Sequence, residues 1–332
     1  MVRILITHNN DLLENFYNHE AVDRMRELGE VRVNGTDEPL AGEALIEAAK
    51  DCEIIVSDRL APGDPELFDR LPNLCAFLRC AVDIRNVDIA AASRNGVLVA
   101  PCSQGYDDAV AETALGLMLM LARRLAAGDR LYKAGEAHQP MVMTRQLAGA
   151  SVGVIGYGAI GRRIGELALA FKMAVSAYDP YKRIVDGRVR QADLDTVLSE
   201  PDFVICAAYA TPETERMMNR DAFAKMRSDA YFINISRGIL VDEEALEEAL
   251  TSGGIAGAGL DVGLGIDQQP SLALAKLPNV VAVPHVAGLT REASDHQAFE
   301  TVDQVRDMLA GKLPRLAVNP GQASRLARLT NR

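Results

Sequence analysis

Several features are missing from this chain of 332 residues. No apolar run reaches membrane-spanning length. The run ALGLMLMLA at 114–122 is too short, and Arg123 and Arg124 close it. The opening MVRILITHNND lacks a charged segment followed by an apolar core of signal length. It reads as a strand, so a cytoplasmic location is expected. Cysteine is sparse: there are five, at 52, 75, 80, 102 and 206, with no CxxC and no histidine close by in sequence. The odd count points to free, mostly buried thiols. With no local base in view, a catalytic cysteine is not the expectation. Metal-ligand spacing is absent as well, so no metal is expected. Basic charge is in short supply, with 35 Lys and Arg against 46 Asp and Glu, a net charge of −11. That balance argues against nucleic acid or an anionic membrane as the main partner. It leaves room for an anionic metabolite, because a local cation can dominate a pocket.

What remains is ordinary for a globular protein, at 48% apolar and 24% charged residues. The length is more than one core usually fills, so two domains are expected. The first hundred residues alternate short apolar or β-branched runs (RILIT, VRVNG, EIIVS, LCAFLRC, VLVA) with helix-like segments such as EALIEAAKD and PELFDRL. This alternation reads as a parallel α/β sheet. A long helix pattern follows over 107–132, with Asp107 or Asp108 as the expected N-cap and Gly128 as its end. Its apolar residues surround it, which suits a core helix or a subunit interface. A second βαβ unit starts at Ser151. Further strands are expected at DFVICAA, AYFINIS, IAGAGLDV and VVAVPH, with helices at NRDAFAKM and EEALEEAL between them. REASDHQAFETVDQVRDMLAG reads as a last helix. The polar, basic KLPRLAVNPGQASRLARLTNR reads as a tail expected to fray.

GYGAIG places Gly156, Gly158 and Gly161 between a strand and the helix RRIGELALAFK. The first glycine permits a tight turn, the second lets the backbone approach a pyrophosphate, and the third lets helix and strand pack closely. The helix N-terminus then offers N–H groups and its positive end to phosphates. The next strand ends in Asp179, 18 residues past Gly161. A carboxylate there accepts from the adenosine ribose hydroxyls and repels a 2′-phosphate, so NAD is expected over NADP. Lys182 and Arg183 follow closely and keep NADP open, although the simpler reading is a solvated loop.

FINISRGILVDEEALEEAL, with ATPETERMMNRDAFAKM upstream and GIAGAGLDV and VPHVAGLT downstream, resembles the D-isomer-specific 2-hydroxyacid dehydrogenases. Glyoxylate/hydroxypyruvate reductases, D-lactate dehydrogenases and phosphoglycerate dehydrogenases belong to that family. LPNLCAFLRCAVDIRNVDIAAASRNGVLV matches its first-domain pattern. The resemblance implies that Arg237 grips the substrate carboxylate and polarises the carbonyl. A guanidinium suits this, being a planar fork of donors that stays charged. It implies that His285 is the acid/base, a role for which an imidazole titrates in the right range. By the same resemblance Asp261 holds the nicotinamide carboxamide, Ala159 and Ile160 lend N–H groups to the pyrophosphate, and Ile235 and Ser236 line the nicotinamide side. Thr214 and Gly288, within the matched stretches, count as cofactor contacts. Tyr209 stands where the family usually has a proline, and Ala207 where a histidine is common.

Two departures stand out. The family carries a glutamate five residues after the aspartate, which hydrogen-bonds the histidine; here Ile266 fills that place. Asp267 is the only carboxylate between Asp261 and His285. A local bulge is expected to bring it to His285, favouring imidazolium and fixing its tautomer. In the substrate loop RCAVDIRNVD, Ala81 and Val82 fit the family pattern. Asp83 replaces a glycine, however, and Arg85 stands where an aspartate is common. Asp83 beside an anionic substrate would need a partner, and Arg85 is one candidate. Arg59, after the third strand, is a further substrate candidate or a surface residue, and His8 reads as a loop residue.

The resemblance implies an α/β protein of two doubly wound parallel-sheet domains, with a Rossmann NAD-binding domain (102–288) inserted into a flavodoxin-like substrate domain (1–101 and 289–332). A small 2-oxo or 2-hydroxy acid would sit in a cleft between them and exchange a hydride with NAD. A homodimer is expected. Two alternatives stay open. One is an NADPH-dependent glyoxylate/hydroxypyruvate reductase. The other is an NAD(H)-binding regulatory protein of the same fold, which the missing glutamate would suit.

Overall fold

The computed structural model describes residues 1–136 and 142–330. The chain divides into two compact units. The first is Met1–Gly105 together with the stretch from Thr290 onward, and the second is Tyr106–Leu289.

The first unit carries a five-stranded sheet: β1 Val2–Ile6, β2 Gly29–Val33, β3 Ile54–Ser57, β4 Ala76–Arg79 and β5 Leu98–Pro101. The order is β2-β1-β3-β4-β5 and every pairing is parallel. That is the flavodoxin-like arrangement. The central strands are buried on both faces, which explains why they are continuous apolar runs rather than alternating ones. Side-chain caps start the flanking helices: Asn9 accepts from the Leu12 N–H, Asn18 from Glu20 and Ala21, and Asp88 from Ala91. The helix Arg291–Leu309 lays Ala298, Val302, Val305 and Met308 on one face of this sheet, against Ile4, Ile6, Val56 and Leu78.

The fraying tail is corrected. Beyond that helix the chain runs beside β5, an edge strand whose main chain would otherwise lack partners. Asn319 is buried. Its Oδ1 accepts from the Val99 N–H at 2.9 Å, its Nδ2 donates to the Val97 carbonyl at 2.9 Å, and Val318 N–H donates to the Val99 carbonyl. Arg325 and Arg328 donate to the carbonyls of Leu71, Leu74 and Pro72, and Leu329 is buried. The segment covers an edge that needs covering, so it is ordered despite its polarity.

The second unit carries seven parallel strands: β6 Ser151–Ile155, β7 Ala174–Tyr178, β8 Val189–Gln191, β9 Phe203–Cys206, β10 Tyr231–Asn234, β11 Gly257–Leu260 and β12 Val280–Ala282. Their order is β12-β11-β10-β9-β6-β7-β8. The strand order reverses between β6 and β9, which is where an open sheet of this kind takes its ligand. β8, three residues long, was not expected from the sequence. Its burial pattern has a single buried residue, so it leaves no apolar run to read.

The long helix differs from expectation at both ends. It runs Asp107–Arg123 with Tyr106 as N-cap and no side-chain cap, so Asp107 and Asp108 lie in its first turn. There they favour the positive end of the helix without capping it. It stops at Arg124, whose φ of 54° is left-handed, and a second helix runs Leu125–Lys133 with Gly128 inside it. Nine residues of the first helix are buried, and none of the second. Among the described residues, no helix is long and apolar enough to cross a membrane.

Candidate active site

The dinucleotide loop is built by three glycines with separate jobs. Gly156 has φ of 89°, and a Cβ on it would stand 2.6 Å from Ala208 Cα. A Cβ on Gly161 would stand 2.0 Å from the Gly156 carbonyl oxygen, so the helix Ala159–Ala170 meets the strand only because this residue has no side chain. Gly158 is different. A Cβ there would touch only the Tyr209 ring, at 3.8 Å, and Gly158 caps the helix without a side-chain bond. The first-turn N–H groups of Ala159, Ile160 and Gly161 therefore open beside a backbone that nothing crowds, which fits a pyrophosphate.

Asp179 follows β7. Its Oδ2 accepts from the Tyr157 N–H and its Oδ1 from the Tyr181 N–H, both at 2.9 Å. The carboxylate is held next to the glycine loop and at the head of the Lys182–Arg183 segment. Those two cations line a groove of about 550 Å³ together with Tyr157, Gly158, Ala159 and Arg162. Across the loop, Thr214 Oγ donates to the Tyr209 carbonyl at 2.7 Å and fixes the turn that presents the exposed Tyr209 ring.

Arg237 leaves the end of β10. Ile235 before it is a core residue at 4% exposure, so its side chain packs with the sheet and only its main chain faces the loop. Ser236 Oγ donates to the Ala208 carbonyl at 2.5 Å, tying this loop to the one after β9. Asn234 is a contributor that the sequence reading missed. It is buried; its Oδ1 accepts from the Ser236 N–H and its Nδ2 donates to the Arg237 carbonyl, both at 3.1 Å. The available signal was an asparagine ending a strand, where its side chain can substitute for main-chain turn bonds. Gly238 locks the other side: a Cβ there would stand 2.1 Å from the Gly263 carbonyl oxygen. The Arg237 guanidinium is exposed, its Nη1 donates to the Ser236 carbonyl at 2.7 Å, and the Tyr106 phenol lies close enough to feel its charge. Burial pushes the Tyr106 phenol up, so it stays neutral beside the guanidinium. Tyr106 also packs its ring 3.4 Å from where a Cβ of Gly288 would stand, a second residue that the sequence reading had not linked to the site.

Asp261 follows β11 and is 2% exposed. Its Oδ1 accepts from the N–H groups of Val286 at 2.8 Å and Ala287 at 3.0 Å, and its carbonyl accepts from the His285 N–H at 2.9 Å. One residue thus shapes the whole His285 turn. His285 itself has φ of 56°, a conformation that costs a non-glycine residue energy and that these bonds hold in place. Burial pushes the Asp261 carboxyl up, the two N–H groups pull it down, and His285 and Arg237 also favour its charged form.

The expected Asp267–His285 carboxylate pair is corrected. The structure does bring Asp267 to His285, but through its main chain: His285 Nδ1 lies 2.8 Å from the Asp267 carbonyl oxygen. The reason is the loop. Gly263 and Gly265 N–H groups donate to the carbonyls of Gln268 and Gln269, Leu264 N–H donates to Glu243, and Asp267 and Gln268 both take left-handed φ, 52° and 61°. This turn aims the Asp267 carbonyl at the ring and leaves the residue itself exposed.

In the first unit, Ala81, Val82 and Asp83 follow β4. Asp83 is paired with Arg85 through Nη2–Oδ2 at 2.6 Å and Nε–Oδ1 at 3.0 Å, and this hydrogen bonding pulls the Asp83 carboxyl down. Arg59 is exposed on the loop after β3. Both loops hang on Arg79, another residue not singled out from sequence. Its fully buried guanidinium donates to the Asp58 carbonyl, to the Ala61 carbonyl at 2.9 Å and to Asn86 Oδ1 at 2.7 Å. Burial pulls Arg79 down to about 10, so it remains charged near neutrality.

Residues 115–287 match the NAD binding domain of the D-isomer specific 2-hydroxyacid dehydrogenases. The chain belongs to that family. A hydroxypyruvate reductase of Thermotoga maritima is 32% identical over 90% of this chain and 96% of its own length. A D-3-phosphoglycerate dehydrogenase of Archaeoglobus fulgidus is 35% identical over 90% of this chain, which spans only 57% of that longer protein. The NAD-complexed D-isomer specific 2-hydroxyacid dehydrogenase from Lactobacillus delbrueckii ssp. bulgaricus superposes with a TM-score of 0.80 at 25% identity, covering 96% of this chain and 100% of that one. This family member is an NAD-binding oxidoreductase that moves a hydride between the cofactor and a 2-hydroxy or 2-oxo acid.

Proposed function

We propose that the enzyme reduces a small anionic 2-oxo acid with NADH, hydroxypyruvate being the first candidate because of the Thermotoga relative. The observation that carries this reading is the pairing of an exposed guanidinium at Arg237 with an imidazole at His285 whose Nδ1 is already engaged. Arg237, steadied by the Ser236 carbonyl, holds the substrate carboxylate and draws electron density from the neighbouring carbonyl. His285 Nε2 gives a proton to the carbonyl oxygen during reduction and takes it back during oxidation. Bound at Gly156–Gly161, the nicotinamide cofactor supplies the hydride. Asp261 keeps the His285 turn in shape and offers its carboxylate side to the carboxamide, with Gly288, Ile235 and Ser236 as neighbouring main-chain contacts. Asp179 takes the ribose hydroxyls and gives NAD(H) the preference, with Tyr209 and Thr214 lining the adenine side.

The first unit serves as the substrate-binding domain. Ala81 and Val82 donate N–H groups to the carboxylate, Arg85 neutralises Asp83, and Arg59 reaches the far end of longer substrates. The exposed Leu125 and Tyr132 support a homodimer, and the buried cysteine thiols, Cys52, Cys80, Cys102 and Cys206 among them, support a reducing, cytoplasmic location. The test is loss of reduced cofactor with purified protein and a panel of hydroxypyruvate, glyoxylate, pyruvate and branched 2-oxo acids, each with NADH and NADPH. Turnover with NADH and a small member of the panel is expected. NADH binding without turnover on any member would overturn the reading in favour of a regulatory protein.

A further inference from the structure

Cys80 and Cys102 follow the last paired residues of two neighbouring parallel strands. The register of β4 and β5 pairs Arg79 with Pro101, so Cys80 and Cys102 are the next pair along. The hydrogen bonding reaches them, because the Cys102 N–H donates to the carbonyls of Arg79 and Ala81. Adjacent strands lie about 4.8 Å apart. Disulfides span Cα separations of roughly 4.4–6.8 Å, so the backbone already stands within bonding range. The two side chains also share a face. Ala76, Leu78 and Cys80 point into the core beneath the helix Arg291–Leu309, as do Leu98 and Ala100, and the period of two puts Cys102 with them.

A third group completes the cluster. His8, two residues past Ile6, lies on the same face of the sheet, 1% exposed, with a buried Nδ1 that has no hydrogen-bond partner. Its ring rests against Tyr17 at 4.7 Å. Cys102 and then His8 pull the Cys80 thiol down against the burial that pushes it up, while the Cys102 thiol, whose Sγ donates to the Gln297 carbonyl at 3.4 Å, is pushed up by Cys80 and by burial. The pair is therefore asymmetric: a sulfur that favours the thiolate beside one that keeps its proton. Cys80 retains 6% of its surface against 1% for Cys102, so a small oxidant meets Cys80 first.

We infer that Cys80 and Cys102 form a redox-active dithiol, with His8 as its base, which closes to a disulfide under peroxide and thereby disables the substrate loop. Cys80 thiolate attacks one peroxide oxygen and the O–O bond breaks. The leaving oxygen departs as water, taking up the proton held at His8 or supplied by solvent, and Cys80 becomes the sulfenic acid. Cys102 sulfur then attacks the Cys80 sulfur, its proton goes to the departing hydroxyl, and a second water leaves. Two thiols and one hydrogen peroxide give one disulfide and two waters, and the two electrons pass from sulfur to peroxide. The bond ties the residue just before Ala81–Val82–Asp83 to the chain leaving β5, and so restrains the loop. This consequence rests on the proposed role of that loop in holding the substrate carboxylate.

The experiment is peroxide treatment of the purified enzyme, followed by thiol counting, peptide mapping and kinetics. The titratable thiol count should fall from five to three, with a cross-linked peptide joining Cys80 to Cys102. The KM for the 2-oxo acid should rise several-fold, NADH affinity should hold, and dithiothreitol should reverse the change. The Cys80→Ala and Cys102→Ala variants should each lose the reversible response, while Cys206→Ala keeps it. No Cys80–Cys102 link, or a link that leaves KM unchanged, overturns the inference. The loop reading has its own test in the reduced enzyme, where Ala81→Pro removes an N–H and should raise KM without oxidant, so the two failures are told apart.

Discussion

His285 Nδ1 and the main-chain carbonyl of Asp267 lie 2.8 Å apart. A carbonyl oxygen only accepts, so Nδ1 carries the hydrogen and Nε2 is the atom left to exchange a proton. This separates the Asp267 side chain from the chemistry. Asp267→Asn should leave kcat within about twofold and the pH–rate profile in place, because asparagine keeps the carbonyl and tolerates left-handed φ. Asp267→Val should behave otherwise. It forces a β-branched residue to a φ of 52°, at a cost of roughly 1–2 kcal/mol, and the turn will move its carbonyl. Steady-state kinetics on the two variants decide the matter. A large loss in Asp267→Asn with a shifted profile would mean that the carboxylate acts after all.

His285→Gln should lower kcat by about 10²–10⁴, the usual contribution of a positioned acid/base. NADH binding, followed by the fluorescence of the bound cofactor, should remain near that of the parent enzyme. Loss of binding in step with activity would point to a collapsed turn rather than a missing proton donor.

Arg237→Lys should be nearly as damaging as Arg237→Ala in kcat/KM. An ammonium keeps the charge but cannot present a planar fork to a carboxylate. Tyr106→Phe removes the phenol beside the guanidinium and should cost less, with the loss mostly in kcat/KM. Equal activity of Arg237→Lys and the parent would rule out a two-pronged grip.

The positions of these residues show what a sequence makes legible. Arg237, Asp261 and His285 were readable because each lies at the end of a strand whose apolar run fixes its place, and the glycine loop was readable because steric demands select glycine. What escaped depends on main-chain direction. Which oxygen of Asp267 meets His285 follows from two consecutive left-handed residues, and neither asparagine nor glycine is there to announce them. The break at Arg124 escaped for the same reason, since an arginine took the left-handed position that glycine usually marks. The ordered C-terminal stretch was misread because its value is to an edge strand far away in sequence, not to a core of its own. Arg79 and Asn234 were hidden because their partners are main-chain carbonyls and N–H groups, which carry no sequence signature.

Asp179→Ser should shift the cofactor preference toward NADPH. The change removes the charge that repels a 2′-phosphate and leaves Lys182 and Arg183 lining the adjacent groove. The KM for NADPH should fall and that for NADH should rise, since serine replaces a two-oxygen acceptor of the ribose. Asp179 also holds the N–H groups of Tyr157 and Tyr181, so a modest drop in Tm is expected alongside. An unchanged NADH to NADPH ratio would take Asp179 out of the ribose site.

Asp261→Asn should raise stability near neutral pH while lowering activity. Burial pushes the Asp261 carboxyl above its ordinary 3.8. Over the window from that value to the raised one, the folded chain binds more protons than the unfolded chain. Stability from this group is therefore fully present below the ordinary value and is lost as pH rises through the raised one. At neutral pH the fold carries a buried carboxylate against its preference, and asparagine lifts that cost while its Oδ1 still accepts from Val286 and Ala287. Function should pay instead, because the charge facing His285 and Arg237 is gone. Melting curves across acidic and neutral pH should show the variant gaining on the parent as pH rises, with kcat reduced at neutral pH. A variant that loses Tm at neutral pH would show that the carboxylate stabilises the turn through its charge, and that its burial is no net cost.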